Sequence, residues 1–345
     1  MLKIHDYLNY ITTSQETLQE RSHQVAHNAL VQYGLTNCHI EEIHESSIAL
    51  IGVIKLRITP PKSSENFLLS IHCRLPYWGV NSTRTSIDAY LQWLLYLHNE
   101  TEFVVQEPLP NRRDNLITEV TIAECENAPI YCTLHRWVPG KDLADNAKDY
   151  LERVGAISAK LHVHASKWPI PETFDRPEYT SDDVYAPLNF LKHAADEGRI
   201  ATADIDALSH AADRIATYLD AQKQTRQTWG MIHGDFSPNA CVLHKGELHL
   251  IDIDDCCLGF YIADIGNSFK GSLGRDPDKA RAFLKGYESI TKLPDNYQQI
   301  IEGFIISAWI RNWARWREPN QTFYNMPDFV SNKCKKYLNN EPFLL

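Results

Sequence analysis

The run Ile232-His233-Gly234-Asp235-Phe236-Ser237-Pro238-Asn239 leads from an apolar approach to an acid in a proline-containing loop. A short hairpin follows, Val242-Leu243 and then Leu248 to Ile251 around Lys245-Gly246, and it ends at Asp252-Ile253-Asp254-Asp255. Two carboxylate groups delivered in this way suit phosphoryl transfer. Asp235 would stand beside an acceptor hydroxyl as base or orienting group, and Asp252 would hold the divalent cation that bridges the phosphates. Such transfer rests mostly on positioning and charge stabilisation, so a fixed carboxylate in a polar loop is enough. Magnesium prefers oxygen ligands and often takes only one or two protein carboxylates. If the strand carrying Asp252 continues, Asp254 points to the same side as a second ligand or outer partner, and Asp255 points away. His233 is read as a hydrogen-bonding residue of the loop, and Gly234 as the point of a tight backbone path. Asp264 opens the next helix, either as its N-cap or as an acid buried beneath the loop that fixes the loop backbone.

The elements that must position these residues fall into two groups. Glu16 to Tyr33 has the spacing of an amphipathic helix. Ile48 to Ile58, Phe67 to Cys73, Leu116 to Ile122 and Ile130 to Val138 are rich in β-formers and separated by turn-prone segments. One helix, Ser82 to Asn99, interrupts them. After Pro139-Gly140 the periodicity becomes helical: Ala147 to Ala165, Ala186 to Glu197, Thr202 to Lys223, Pro277 to Ser289 and Asn296 to Trp316. Only the hairpin after the His-Gly-Asp run breaks that series. The expected architecture is α+β: residues 1–138 as a small antiparallel β lobe with an N-terminal helix and one packed helix, and residues 139–345 as a larger, mainly helical lobe.

Composition narrows the function. A chain of 345 residues can hold two lobes, and its net charge of -10 disfavours a nucleic-acid binder with a broad basic surface. No apolar run reaches membrane-spanning length, and Met1 to Asp6 lacks the apolar core of a signal peptide. Eight scattered cysteines form neither a disulfide framework nor a zinc spacing. A cytoplasmic protein with reduced thiols is expected.

Beyond the central run, the sequence resembles the phosphotransferase enzyme family, the superfamily of aminoglycoside phosphotransferases and choline kinases. Leu134-His135-Arg136-Trp137-Val138-Pro139-Gly140 resembles the hinge strand, Val154-Gly155-Ala156-Ile157-Ser158-Ala159-Lys160-Leu161-His162 the long helix of the second lobe, and Phe283-Leu284-Lys285-Gly286-Tyr287 a later helix. Ile251 to Cys256 and Ala263-Asp264-Ile265 resemble the metal-binding and following segments. The resemblance implies a bilobal protein-kinase-like fold, ATP as co-substrate with GTP also open, Mg2+, and a small-molecule hydroxyl as acceptor. It also implies that the backbone at His135, Arg136 and Trp137 holds the adenine.

Three positions depart from the family pattern. Ser70 stands where a Lys or Arg would grip the nucleotide phosphates, and Tyr90 where a Glu would pair with that base. Ala240 stands where an Asn would bind metal, with Asn239 one residue early as the substitute ligand. Lys55, Arg57 and Arg74 are the available replacements for the missing base, and His44 to Gly52 is a glycine-poor candidate for the nucleotide loop. The joint loss of both members of one ion pair fits either a rebuilt nucleotide site or a pseudokinase-like binding protein that transfers no phosphate; a fold turned to other chemistry is the third reading. Nine acids between Glu172 and Asp206 offer either an amine-binding region or a solvated face. Cys256-Cys257 is read as packing. His162 and His164 diverge on a helix and make no metal pair. Trp309, Trp313 and Trp316 share a helical face that reads as core.

Overall fold

A computed structural model describes residues 14–43, 53–72, 83–123, 129–143, 148–315, 323 and 325–345. Arg74, Trp316 and His44 to Gly52 lie outside the described residues. The chain divides into two compact units. One comprises residues 1–139, 170–177 and 249–251, and the other residues 140–169, 178–248 and 252–345.

The first unit is built on a six-stranded sheet of β1 (His39–Glu42), β2 (Val53–Thr59), β3 (Phe67–His72), β4 (Pro108–Leu109), β5 (Ile117–Val120) and β6 (Ile130–Arg136). Its order is β1-β2-β3-β6-β4, with β5 also paired to β6, and every pairing is antiparallel. Two helices accompany it, α1 (Gln15–Tyr33) and α2 (Arg84–Glu100). Ser14 caps α1 by accepting from the Thr17 N–H, and Gly34 ends it in the left-handed conformation.

The period of two along each strand sorts the side chains. Ile54, Leu56 and Ile58 of β2, Leu69 and Ile71 of β3, and Cys132 and Leu134 of β6 share one core cluster with Leu18, Val25, Ala26, Ala29 and Leu30 of α1. The alternate positions carry Lys55, Ser70, His72, Thr133 and His135, with Lys55 opposite Ser70 and Ser70 opposite Thr133. One face is therefore apolar and the other polar.

The second unit contains three long helices, α3 (Lys148–Lys167), α5 (Thr202–Ala221) and α8 (Tyr297–Arg315), with α4 (Asp182–Asp196), α6 (Tyr261–Ser268) and α7 (Pro277–Glu288). Helices α3 and α7 cross closely because each presents a glycine. A Cβ on Gly155 would lie 2.0 Å from the Phe283 carbonyl oxygen, and one on Gly286 would lie 1.8 Å from that of Glu152. The expected hairpin is present as β9 (Cys241–His244) and β10 (Glu247–Leu250), joined by β7 (Lys141–Asp142) in a three-stranded sheet. A second ribbon, absent from the sequence expectation, pairs β8 (Trp229–Ile232) with β11 (Cys257–Phe260). These strands are only four residues long, too short for a periodic signal. Trp309 and Trp313 cluster with Phe329, as a core face would. The six described cysteines are free thiols. Among the described residues no helix is long and apolar enough to cross a membrane.

Candidate active site

The ribbon of β8 and β11 builds the site in the second unit. Strand β8 runs directly into His233-Gly234-Asp235, while β11 runs directly into α6, so the start of α6 lies under the loop. All eight residues of α6 are buried, including Asp264 and Asn267. Buried polar groups need partners, and here the partners are the loop backbone. The Asp264 carboxylate accepts from the N–H of His233 and from that of Gly234, both at 3.0 Å. Asn267, one turn on, donates from Nδ2 to the Gly234 carbonyl at 3.0 Å, and Arg311 donates to its Oδ1. Just beyond the helix, Lys270 forms an ion pair with the Asp235 carboxylate. Asp264, Asn267 and Lys270 recur every third residue, so one helical stripe and its exit serve three successive loop residues.

Asp264 is thus the acid beneath the loop, and the N-cap position of α6 belongs to Phe260. Burial alone would raise its pKa. The hydrogen bond and field of His162, with the field and backbone N–H of His233, outweigh burial and hold it below the ordinary carboxylate value. His162 Nε2 donates to Asp264 at 3.2 Å, and its Nδ1 bonds the Tyr287 hydroxyl at 2.8 Å. The His162 ring stacks on Tyr261 at 4.8 Å.

Gly234 has φ +82°, and a Cβ there would lie 2.2 Å from the Asp255 carbonyl oxygen. Only glycine fits. That contact also brings the Asp235 loop against the acidic turn. Strand β10 stops at Leu250, Asp252 takes the left-handed conformation (φ +65°, ψ +39°), and Ile253–Asp255 form a single 3-10 turn. The strand alternation expected to align Asp254 with Asp252 does not apply, because the chain is no longer extended there. Asp252 is exposed and Asp254 is buried. Asp252 is one of six described non-glycine residues with positive φ, a region that aspartate and asparagine enter more readily than most residues.

Ala240 is buried at the end of a 3-10 turn, Pro238–Ala240, whereas Asn239 is exposed. Asn239 lines a cavity of about 170 Å³ together with Ser237, Lys270, Ser272 and Lys279. Neither Asp252 nor Asp254 lines that cavity. Among the described residues no three His, Cys, Asp or Glu side chains converge as a cation site. The hard oxygen donors of Asp252 and Asp254 still fit magnesium, which completes its shell with phosphate oxygens and water.

In the first unit, the positions expected to carry the phosphate-gripping ion pair belong to a buried polar layer. Ser70 and Tyr90 are buried, and Tyr90 lies 6.1 Å from the His135 ring. Thr133 Oγ1 lies 3.0 Å from His72 Nε2 and 2.9 Å from His135 Nε2. A hydroxyl can donate to one ring and accept from the other, which suits two neutral imidazoles. Burial, then the fields of His135, Arg176 and Lys55, push His72 down to about 3. Burial and Lys55, against the Gln106 carbonyl, push His135 down to about 4. Arg176, far along the sequence, belongs to this unit and donates to Ser86 Oγ at 3.2 Å. Lys55 is half-buried on the same face as Ser70. Arg57 instead stacks over Trp137 at 4.9 Å.

At the expected hinge, two backbone N–H groups have partners within the unit. His135 Nδ1 faces the Gln106 carbonyl at 3.3 Å inside the unit. The Arg136 N–H donates to the Glu107 carbonyl at 2.8 Å, and the Trp137 N–H to that of Asn66 at 3.1 Å. Those two N–H groups bond the unit's own backbone.

The depressed histidines make acid stability a test of this layer. Above pH 6.5 both are neutral, folded or unfolded. Below it the unfolded chain takes up protons that the folded layer refuses until pH 4 and 3, so stability falls across that window. At pH 5.5 the loss is on the order of 1 kcal/mol per histidine and a few kcal/mol for the pair. Denaturant unfolding at pH 7.5 and 5.5 should show that loss in the wild type and less than half of it in a His72→Gln/His135→Gln double variant. Equal losses in both would contradict the layer's neutrality.

The model of the phosphotransferase enzyme family matches residues 79–300, which include Tyr90, Thr133 and His135 of the first unit and the stretch from His233 to Lys270 of the second. The chain belongs to this family. A relative in Synechocystis sp., the uncharacterized protein sll1119, is 26% identical over 243 residues, which is 67% of this chain. The match spans 63% of that relative's length. Among solved structures, a microcompartment-associated aminopropanol kinase has a TM-score of 0.72 at 18% identity, covering 93% of this chain and 98% of the other. An amicoumacin kinase in complex with AMP-PNP, Ca2+ and Ami has a TM-score of 0.69 at 15% identity, covering 96% and 95%. At these identities the likeness is one of fold, and the fold is the protein-kinase-like fold of the family.

Proposed function

We propose that the protein is a nucleoside-triphosphate-dependent phosphotransferase acting on a hydroxyl of a small molecule. The observation that carries this reading is the clamped loop. Asp264 and Asn267 fix the backbone on either side of Gly234, so Asp235 stands at the loop surface with a defined orientation. The aminopropanol kinase and the amicoumacin kinase solved with AMP-PNP share the fold, which supports the same class of chemistry.

Asp235 accepts or orients the acceptor's hydroxyl proton. Lys270 holds the Asp235 carboxylate and places positive charge where charge develops on the transferring group. Asp252, with Asp254 as the neighbouring oxygen donor, would hold Mg2+. The bound ion would neutralise charge on the triphosphate. Asn239, the third proposed metal ligand, lines the cavity beside Lys270. Lys55 is the residue of the first unit proposed to contact nucleotide phosphate.

A second reading, a pseudokinase-like binding protein, is favoured by one observation: Ser70 and Tyr90 sit in an uncharged His-Thr-His layer where the family has an ion pair. Calorimetric titration of ATP and GTP, with and without magnesium, tests both readings. Magnesium-dependent binding that weakens at least tenfold in Asp252→Ala is expected. No binding under any condition would overturn the phosphotransferase reading.

A further inference from the structure

We infer that the second unit holds a further small-molecule site, one that takes an uncharged aromatic ring and acts on the Asp235 loop through Asp264. A cavity of about 480 Å³ lies wholly within that unit, lined by residues of α3, α5, α6 and α7. Small-molecule sites usually measure roughly 300–1,000 Å³ and combine apolar walls with a few polar groups. No described residue lines both this cavity and the one beside Asn239 and Lys270. The two are separate.

Aromatic rings make the inner wall. Phe260, Tyr261 and Tyr287 are buried there beside His162 and Ile265, and Tyr218 is half-buried. Burial holds the phenols of Tyr218, Tyr261 and Tyr287 above the ordinary tyrosine value, so they are uncharged at neutral pH. The Tyr261 ring is also fixed in place. Its hydroxyl donates to the Trp229 carbonyl at 3.0 Å and lies 3.2 Å from that of Arg226. A Cβ on Gly230 would lie 2.5 Å from the same hydroxyl, so glycine leaves room for the ring. A wall formed before the ligand arrives lowers the cost of binding.

Charge selects the ligand class. Among the described lining residues there is no acid, and the one Lys or Arg is the exposed Lys292. Aromatic faces attract cations, yet an ammonium group here would lose hydration without an anionic partner. An anion would find a single solvated cation, which contributes little. An uncharged ring loses least and packs against the aromatic wall. The exposed carboxamides of Gln222 and Gln227 can meet one polar edge of it.

The action on the loop follows from shared residues. His162 and Tyr287 line the cavity, bond each other, and reach Asp264 through His162 Nε2. Tyr261 stacks on His162. A ring packed on Tyr261 and Tyr287 holds His162 against Asp264, and Asp264 in turn holds the His233 and Gly234 N–H groups. Occupancy should therefore slow local opening of the loop.

Indole, tryptamine and indole-3-carboxylate share one ring system and differ in charge. Each is titrated into the full chain by ligand-observed NMR, with Val163→Trp and Leu293→Trp as cavity-filling variants. Unfolding curves show which variants fold, and either one suffices. Indole should bind at least ten times more tightly than either ion, and its affinity should fall at least tenfold in a folded variant. Hydrogen exchange across residues 231–236 should slow several-fold at saturating indole. No saturable indole binding, affinity that ignores the variants, or an ion that equals indole would overturn the site. Binding with unchanged exchange at the loop would overturn its action on Asp235. Neither readout requires phosphate transfer, so the phosphotransferase reading stands or falls separately.

Discussion

Replacing Asp235 by Asn is expected to lower kcat for acceptor phosphorylation by about 10²- to 10⁴-fold, the range for loss of a positioned general base. The change keeps the side chain's shape while removing its negative charge and its capacity to take a proton. Stability should move little. The Lys270 and Asp235 side chains are 29% and 33% exposed, and an ion pair of that exposure contributes no more than about 1 kcal/mol. The discriminating measurement is steady-state diphosphate release with acceptor present, beside an unfolding curve. Activity within tenfold of wild type, with the fold intact, would remove Asp235 from the chemistry.

The second large effect is expected at Asp264, which touches no reacting atom and acts as a positioning residue. Asp264→Ala leaves the His233 and Gly234 N–H groups and His162 Nε2 without their acceptor in a fully buried site. Removing one side of a buried charged hydrogen-bond network costs on the order of 3–5 kcal/mol. The folded-state pKa of Asp264 lies below its unfolded value, so its contribution is fully present above the ordinary carboxylate range. It is lost as pH falls through the folded value. The variant's deficit should therefore be largest near neutral pH and shrink in acid. Urea unfolding of wild type and variant across pH checks both size and sign. A deficit under about 1 kcal/mol at pH 7, or one that grows in acid, would contradict the clamp.

Local patterns in the sequence carried much of the fold. The longer helices and strands came from periodicity, and their ends differ from the observed ones by a few residues, where caps such as Ser14 and Gly34 set the boundary. The His-Gly-Asp loop and the hairpin to Asp252 were legible because glycine, proline and acids sit next to each other in the chain. Long-range pairings were not. Lys270 meets Asp235 across 35 positions, and His162 meets Asp264 across 102. Nothing local marks either contact, although a polar residue every third position in the apolar α6 is a signal that could have been weighed. The condition for aligning Asp254 with Asp252, a continuing strand, is not met for a different reason. A left-handed turn at Asp252 ends the strand, and no propensity of the flanking residues announces it. Ser70 and Tyr90 read in sequence as losses; in the fold both are buried beside Thr133, His72 and His135, whose side chains bond one another.

Phosphorus NMR of a reaction mixture tests the central claim most directly. Protein, ATP and magnesium are combined in turn with a hydroxy acid, a phosphorylated polyol, an amino alcohol and a neutral polyol, and the spectrum is followed for ADP and a new phosphate monoester. The account predicts both signals in equal amounts with wild type, dependent on acceptor, and appearing about 10²- to 10⁴-fold more slowly with Asp235→Asn. Magnesium-dependent nucleotide binding with no monoester from hydroxy acids, phosphorylated polyols, amino alcohols or neutral polyols would contradict it.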